Sequence, residues 1–467
     1  MEESANRDIR QEAEALIMNG LQNIETPTEA NTGNENQNEE GQIEANASIG
    51  NGQQHIELIN EITKMLTSLE PPLSTDCCIY RVPDYLRKLN EAAYTPKVIS
   101  IGPFHHGNIR LQTMEKQKVR YLKSIMERAN DVITLETLVS TIKQLEGWIR
   151  RCYREAILLS SDDFVKMILL DVSFILELFW KCHWCSWTRD DSPWLINASM
   201  QDLLLLENQI PFFIIEELFG LAFPFLCNSS PSLIQLTFHF FSHFNVQNIP
   251  PLPDVRIKHF TDLLRTFQLP QTQELPPRCD EMIKHLYSAT QLYEAGVKFK
   301  VSSSKCLLDL KFTNGVLEIP CIQLEDKTET LIRNLMAFEQ CHDSGQSYIT
   351  DYNFILDFLI NTSHDVDLLC KKGIMVNYLG NSNAATSMVN RLNNEIVWMN
   401  LSSDYCCLSK ELNGFYENRW NNWKATLKRE YFSTPWRTAS TVAAVIFLVL
   451  TFIQTVCSII QLLPKHK

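Results

Sequence analysis

A mainly α fold is predicted from this sequence: a large helical domain with a small antiparallel β-hairpin insertion, followed by one C-terminal transmembrane helix. Three observations carry the prediction. Apolar residues recur at helical spacing through most of the chain after His55. One region instead alternates apolar and polar residues around Asn314-Gly315, the strongest short hairpin signal. From Thr438 to Leu463 no residue is charged, a stretch that covers the about 20 residues a spanning helix needs.

The chain has 467 residues, 45% of them hydrophobic, and a formal net charge of −13. That content suits a folded chain long enough for one large core or two smaller ones. The acidity is uneven. Residues 1–52 hold eleven acidic side chains against Arg7 and Arg10, which accounts for −9 of the total. The remainder has no basic field to attract phosphate backbones, so nucleic acid is not expected as a partner. The run "ETPTEANTGNENQNEEGQIEANASIGNGQQ" has too few large apolar groups to offset ordering entropy, and residues 1–54 are read as a disordered acidic arm. The first residues carry acids where a secretory signal would carry positive charge, and they lack an apolar h-region. The fourteen cysteines are accordingly expected to be reduced and mostly structural.

The helical domain is expected over residues 55–430. It opens with "HIELINEITKMLTSLE", where Ile56, Ile59, Ile62, Met65, Leu66 and Leu69 form one stripe. Helical patterns follow at "LQTMEKQKVRYLKSIMERA", "TLETLVSTIKQLEGWIRRCYREAIL" and "DDFVKMILLDVSFILELFWKC". The last is apolar nearly all round and should be central to a core, with Asp162 and Asp163 suited to the positive end of its dipole. "DLLLLENQIPFFIIEELFG" is apolar enough to suggest a membrane span. Glu207, Asn208 and Gln209 would then sit near mid-bilayer, at a cost of roughly 2.5 to 3.5 kcal/mol for one ionised side chain. Two short buried helices are the better reading, with Pro211 opening the second and the three polar residues satisfying backbone groups at the helix ends.

"LLDLKF" and "VLEIPCI" are expected as the two strands of the hairpin. Helices resume at "TETLIRNLMAFEQCH" and "YITDYNFILDFLINT", then run through "TSMVNRLNNEIVWM" to "FYENRWNNWKATLKREYF". Residues 438–463 form the expected membrane helix and 464–467 a short tail. Arg419, Lys424, Lys428, Arg429 and Arg437 precede the span, and Trp420, Trp423, Tyr431 and Trp436 could anchor at the interface. This bias places the large domain in the cytosol, with the plasma membrane as the expected location. At 100° per residue Ser440, Ala444, Thr451, Gln454, Thr455, Ser458 and Gln461 share one face of the span. Gln454, Ser458 and Gln461 are the candidates for pairing with another membrane helix.

Several stretches now read together: "CCIYRVPDYLRKLNEAAYTPKVISIGPFHHG", "DLLLLENQIPFFIIEELFG", "SATQLYEAGVKFK", "GVLEIPCIQLEDKTETLIRNLMAFEQCH" and the closing apolar helix. Over about Asp76 to the C-terminus the chain resembles the plant domain of unknown function 247 family. The resemblance implies mainly helical, single-pass, membrane-associated plant proteins with no established enzymatic activity and no catalytic residues to carry over. Some grass members are implicated in pollen and stigma self-recognition, which implies a recognition role.

The residues themselves name no chemistry. The sequence contains no GxxxxGK[ST], GxSxG, HExxH or GxGxxG pattern. Cys182, His183 and Cys185 have CxxC spacing but no second ligand pair nearby, so a zinc site is not expected. His239 and His243 are expected one helical turn apart, as ordinary helix histidines. His105 and His106 follow a Gly-Pro turn and await a partner acid. Cys77-Cys78 and Cys406-Cys407 are adjacent pairs, of which the second is the better palmitoylation candidate. The sequons at Asn197, Asn228, Asn361 and Asn400 are unmodified on a cytosolic topology.

No catalytic, cofactor-binding or metal residue is therefore assigned. The expected function is a membrane-anchored recognition or signalling scaffold that binds protein partners. The alternative is a membrane-tethered enzyme whose catalytic site is assembled from distant residues. A closed pocket lined by converging Cys, His and acidic groups would favour the enzyme.

Overall fold

A computed structural model describes residues 57–66, 74–129, 133–186, 193–223, 230–251, 256–271, 274–281, 283–342, 344–397, 400–418 and 435–462. The expected acidic arm, residues 1–54, and most of the aromatic run after Asn418 lie outside them. Contacts divide the chain into two units, Met1–Pro72 and Leu73–Lys467. In the first, residues 57–66 are helical as their spacing predicts. Ile59, Ile62, Met65 and Leu66 of the stripe face solvent.

The second unit begins its long helices with α1 (Gln112–Ala129), α2 (Leu135–Arg151) and α3 (Ser161–Trp184). Thr134 starts α2 by accepting from the Thr137 N–H, and Ser160 starts α3 by accepting from Asp163. Asp162 and Asp163 occupy the first turn of α3, as expected. The spacing of Leu138, Ile142 and Ile149 lays one face of α2 against α3, which is itself buried on nearly all sides from Phe164 to Phe179. Sequence periodicity extends α2 to Leu158, but the helix stops at Arg151. There the Arg150 guanidinium reaches forward to the carbonyls of Ile157 and Leu159, at 2.8 and 2.9 Å, and holds the chain in a turn.

Helices α4 (Pro193–Leu203), α5 (Phe212–Ala222), α6 (Leu233–Phe240) and α7 (Phe260–Thr266) complete the first core around α3. Of the two short buried helices expected between Asp202 and Gly220 only the second forms, as α5; α4 ends at Leu203, and residues 204–210 run as turns and irregular chain instead of the first. Pro211 sits one position earlier than expected, as the N-cap of α5 (φ −56°, ψ 132°). Its fixed φ tolerates either place. The first free helical amide, Phe212 N–H, donates to the Lys258 carbonyl at 2.8 Å.

A second core follows. It gathers α8 (Ala289–Glu294), the strands β1 (Lys298–Val301), β2 (Lys311–Thr313), β3 (Val316–Ile319) and β4 (Ile322–Leu324), and α10 (Tyr348–Leu359), while α9 (Asp326–His342), between β4 and α10 in the chain, buries Leu335 and Met336 in the first core. α11 (Ser363–Lys371), β5 (Met375–Asn377), α12 (Ser382–Leu392) and α13 (Ser403–Glu417) close it. β2 and β3 are the expected hairpin, paired antiparallel with Lys311 opposite Glu318 and Thr313 opposite Val316. Asn314 (φ 52°) and Gly315 (φ 78°) both adopt the left-handed conformation that a type I′ turn requires.

The strands are shorter than the alternation suggests. Leu307 to Leu310 turn away before β2, and Pro320, which has no N–H to give a ladder, separates β3 from β4. The insertion also gains parallel pairings that local alternation does not encode: β1 lies beside β3 in the order β1-β3-β2, and β4 pairs with β5. α9 touches both cores, packing on α7 as well as on α10 and α12. α14 (Pro435–Leu462) contains Trp436–Ser458, a span with mean hydropathy 2.2 and no buried share. Among the described residues it is the one helix long and apolar enough to cross a membrane.

Candidate functional site

The densest polar constellation is built on Asp202–Gln209, where α4 ends and the chain runs to α5. α4 leaves its last carbonyls without helical partners, and the following residues are apolar enough to be drawn inside. Every polar group in this buried run therefore needs a bond. The Asp202 carboxylate accepts from the N–H groups of Lys97, Val98 and Ile99 at 2.9, 2.7 and 2.8 Å. Burial raises its pKa, and those three donors pull in the opposite direction.

Asn208 takes the Ile101 N–H at 2.7 Å and gives its amide hydrogens to the carbonyls of Ile99 and Asp202. Gln209 caps the carbonyls of Leu203 and Leu205 at 2.6 and 2.7 Å and accepts from the Phe260 N–H. The expectation that these side chains serve helix ends is met, and they also tie in strands of chain about 50 to 100 residues away.

Glu207 is the electrostatic centre of the run. Although burial opposes its charge, its pKa is lowered, because His105, Arg87 and the Val82 N–H all favour the carboxylate. Arg87 donates at 2.5 Å and Val82 at 2.9 Å. His105 Nε2 lies 3.3 Å away, within ion-pair range but without an aligned hydrogen bond. His105 thus has the partner acid that the sequence left open, while His106 is exposed.

Beside it, Lys118 is fully buried and donates to the Ser100 carbonyl, with its Nζ 2.5 Å from both Asp171 and Glu115. Asp171 also accepts from the Gly102 N–H at 2.8 Å. Gly102 is required there: its φ is +74°, and a Cβ would stand 2.3 Å from the Gln209 carbonyl oxygen. Asn334 on α9 completes the lock by accepting from Leu206 N–H and donating to the Ala93 carbonyl.

This arrangement holds segments together and leaves its carboxylates saturated with internal donors. The other motifs remain apart from it. Cys185 ends α3 in the left-handed conformation and is exposed, Cys182 is half-buried, and the His183 ring lies 5.1 Å from that of His239. Among the described residues no group of three His, Cys, Asp or Glu side chains is placed to hold a metal. His239 and His243 do not share a helix as expected, because α6 ends at Phe240 and His243 lies in the next 3₁₀ turn, 2.5 Å from Lys327 Nζ. Cys406 is buried and so is no acylation site as it stands, whereas Cys407 is exposed.

A half-open cleft of about 660 Å³ lies beside the second core. Its walls include Pro276, Pro277, Cys306, Tyr348, Asp404 and Tyr405. The Tyr348 and Tyr405 hydroxyls donate to the carbonyls of Pro276 and Leu308. Their rings thus present fixed apolar faces next to the charged Lys305, Lys311 and Asp309. It is not the closed pocket of converging Cys, His and acidic groups that an assembled catalytic site would show.

The stretches that make up the polar lock and the hairpin fall within residues 79–450, which match the DUF247 family, described as a plant protein of unknown function. The chain belongs to the DUF247 family. Two Arabidopsis thaliana relatives extend the likeness over most of its length. UPF0481 protein At3g47200 is 29% identical over 435 residues, covering 85% of this chain and 90% of its own. Putative UPF0481 protein At3g02645 is 24% identical over 482 residues, covering 80% and 89%. No solved structure matches this DUF247 protein.

Sequence reasoning singled out Glu207, Asn208 and Gln209 but missed Lys118 and Asp171. A signal for Asp171 existed: a carboxylate in the middle of "MILLDVSFIL" must find a donor once α3 is buried all round. Nothing local marked Lys118 as its partner, since α1 is rich in lysine and arginine.

Proposed function

We propose that this DUF247 protein is a membrane-anchored recognition or signalling scaffold whose helical domain, residues 55–430, binds protein partners through the cleft. The observation that carries the reading is the cleft itself: half-open, about 660 Å³, with three prolines and two immobilised tyrosine rings in its walls. Rigid aromatic faces provide contact area at low entropic cost, which suits a short peptide segment better than a sequestered reaction. The buried carboxylates of the polar lock support the same reading, because their bonds are spent on holding the domain rigid.

The apolar helix α14 supports an anchor, and the positive charge before it supports a cytosolic domain at the plasma membrane. Within the membrane the helix pairs with another through the face bearing Gln454, Ser458 and Gln461. The Ser458 hydroxyl already donates to the Gln454 carbonyl, so the Gln454 amide is the stronger group there for a bond between helices.

Proximity labelling in native tissue tests the cleft. Ser304→Trp fills it and should remove a defined set of partners that wild type and Lys123→Glu, an exposed change on α1, both retain. An unchanged set in Ser304→Trp would end the cleft reading. Glycosidase treatment tests the topology: a mobility shift would place the sequons, and the domain, in a lumen.

A further inference from the structure

Two pairs of cysteines, each drawn from distant parts of the chain, lie on neighbouring segments. Cys78 and Cys152 meet where the Cys78 N–H donates to the Cys152 carbonyl at 2.9 Å, next to a parallel bridge between Ile79 and Tyr153. Both are deeply buried. Cys279 and Cys406 meet across an antiparallel bridge between Arg278 and Ser402, with the Cys279 N–H donating to the Leu401 carbonyl at 2.8 Å.

The same residue, Glu281, touches both sulfurs of the second pair: its N–H donates to Cys279 Sγ at 3.5 Å and its carbonyl accepts from Cys406 Sγ at 3.7 Å. All four sulfurs are free. The pairs differ in access, since Cys279 is half-buried while Cys406 is 1% exposed.

We propose that Cys279 and Cys406 form a disulfide by exchange with a small disulfide such as oxidised glutathione, stapling two walls of the cleft. The Cys279 thiolate attacks one glutathione sulfur, forming a mixed disulfide and releasing one glutathione thiolate, which takes up a proton. The Cys406 thiol loses its proton and attacks Cys279 Sγ, releasing the second glutathione thiolate, which takes up that proton. Overall two protein thiols are oxidised to one disulfide and one glutathione disulfide is reduced to two thiols.

Burial and the neighbouring Cys279 push the Cys406 thiol up to about 12, against the pull of the nearby Lys410. The second step is therefore the slow one and quickens as pH rises. The bond would join Pro276–Cys279 to Ser402–Cys406, so that Pro276, Pro277, Asp404 and Tyr405 of the cleft become one covalently closed rim, whatever the cleft binds. Cys78 and Cys152, with no half-buried member, form an internal control.

The test uses the full chain in detergent, incubated with oxidised glutathione under native conditions and mapped by mass spectrometry without reduction. A peptide linking Cys279 to Cys406 is expected, with Cys78 and Cys152 still reduced. Cys406→Ser should trap glutathione on Cys279, and amide exchange across residues 276–279 and 401–405 should slow in the oxidised wild type. The proposal is overturned if glutathione stays on Cys279 in the wild type, if only the exposed Cys185, Cys321 and Cys407 react, or if Cys78 and Cys152 cross-link first.

Discussion

Adding one methyl group at Gly102 should open the polar lock. In Gly102→Ala the new Cβ would lie 2.3 Å from the Gln209 carbonyl oxygen and 3.3 Å from the Tyr153 hydroxyl. Ordinary carbon–oxygen contact needs roughly 1 Å more, and the obstacle is backbone that cannot swing aside. Relief requires either the Gly102 N–H to leave Asp171 or the Gln209 carbonyl to leave Tyr153, bonds of 2.8 and 3.0 Å.

The first bond, to a charged acceptor, is worth about 1.5–3 kcal/mol and the second about 1 kcal/mol. The left-handed backbone adds about 1–2 kcal/mol for any residue with a Cβ. Losing one of the two bonds and adopting that backbone together cost about 2–5 kcal/mol, a large part of the stability of a typical domain. Gly107→Ala provides the comparison, because Gly107 also has a left-handed φ, +80°, but nothing lies within 4 Å of where its added methyl group would stand. Urea unfolding of the full chain in detergent, followed by tryptophan fluorescence, should show Gly102→Ala less stable than Gly107→Ala by about 1–3 kcal/mol, the worth of the one bond lost. Equal losses would refute the steric part of the reasoning.

Gly315→Val should lower the melting temperature clearly, since φ is +78° and the first added carbon would already meet the Phe415 ring at 3.0 Å; an unchanged melt would contradict the turn assignment. Asp357, half-buried on α10, is pushed up to about 6 by burial, although Asn393 pulls it down. Its folded pKa exceeds the unfolded value, so the folded state binds the extra proton and stability falls as pH rises from about 4 to about 6. Asp357→Asn should therefore flatten that fall and raise the melting temperature at pH 7, and an unaltered pH profile would count against it. Replacing Gln454 and Gln461 with Leu should leave membrane insertion intact but weaken association in a crosslinking assay. Loss on changing Val449 and Ile453 instead would put the interface on the other face.

Features written in neighbouring residues were legible. The I′ turn needs only Asn314 and Gly315, α3 announces its burial through an uninterrupted apolar surface, and the apolar tail helix follows from length and charge. The polar residues after Leu206 could be read as helix-end partners because such ends always need them. Features that depend on which distant segments meet were not legible. β1 looks like any short alternating run, and only the folded chain brings it parallel to β3. Arg87, His105 and Glu207 lie in two stretches about 100 residues apart, with no spacing rule to join them. The same holds for Cys279 and Cys406, whose proximity comes from the Arg278–Ser402 bridge. His239 and His243 misled because a helix was assumed to continue past Phe240.

The reach of the polar lock along the chain also bears on the order of events during synthesis. Val82, Lys97 to Ile101 and Ala93 leave the ribosome with their backbone donors and acceptors unanswered, and wait for Asp202 to Gln209 and then for Asn334. Such distant pairings make for slow closure. α14 begins only at Pro435, about 100 residues after the last of these partners. At about 5–20 residues per second that interval is roughly 5–20 seconds, ample for a domain of ordinary folding speed. The apolar tail thus emerges after every partner of the polar lock around α3 has had that interval to close, whereas α13 of the second core leaves the ribosome just ahead of it.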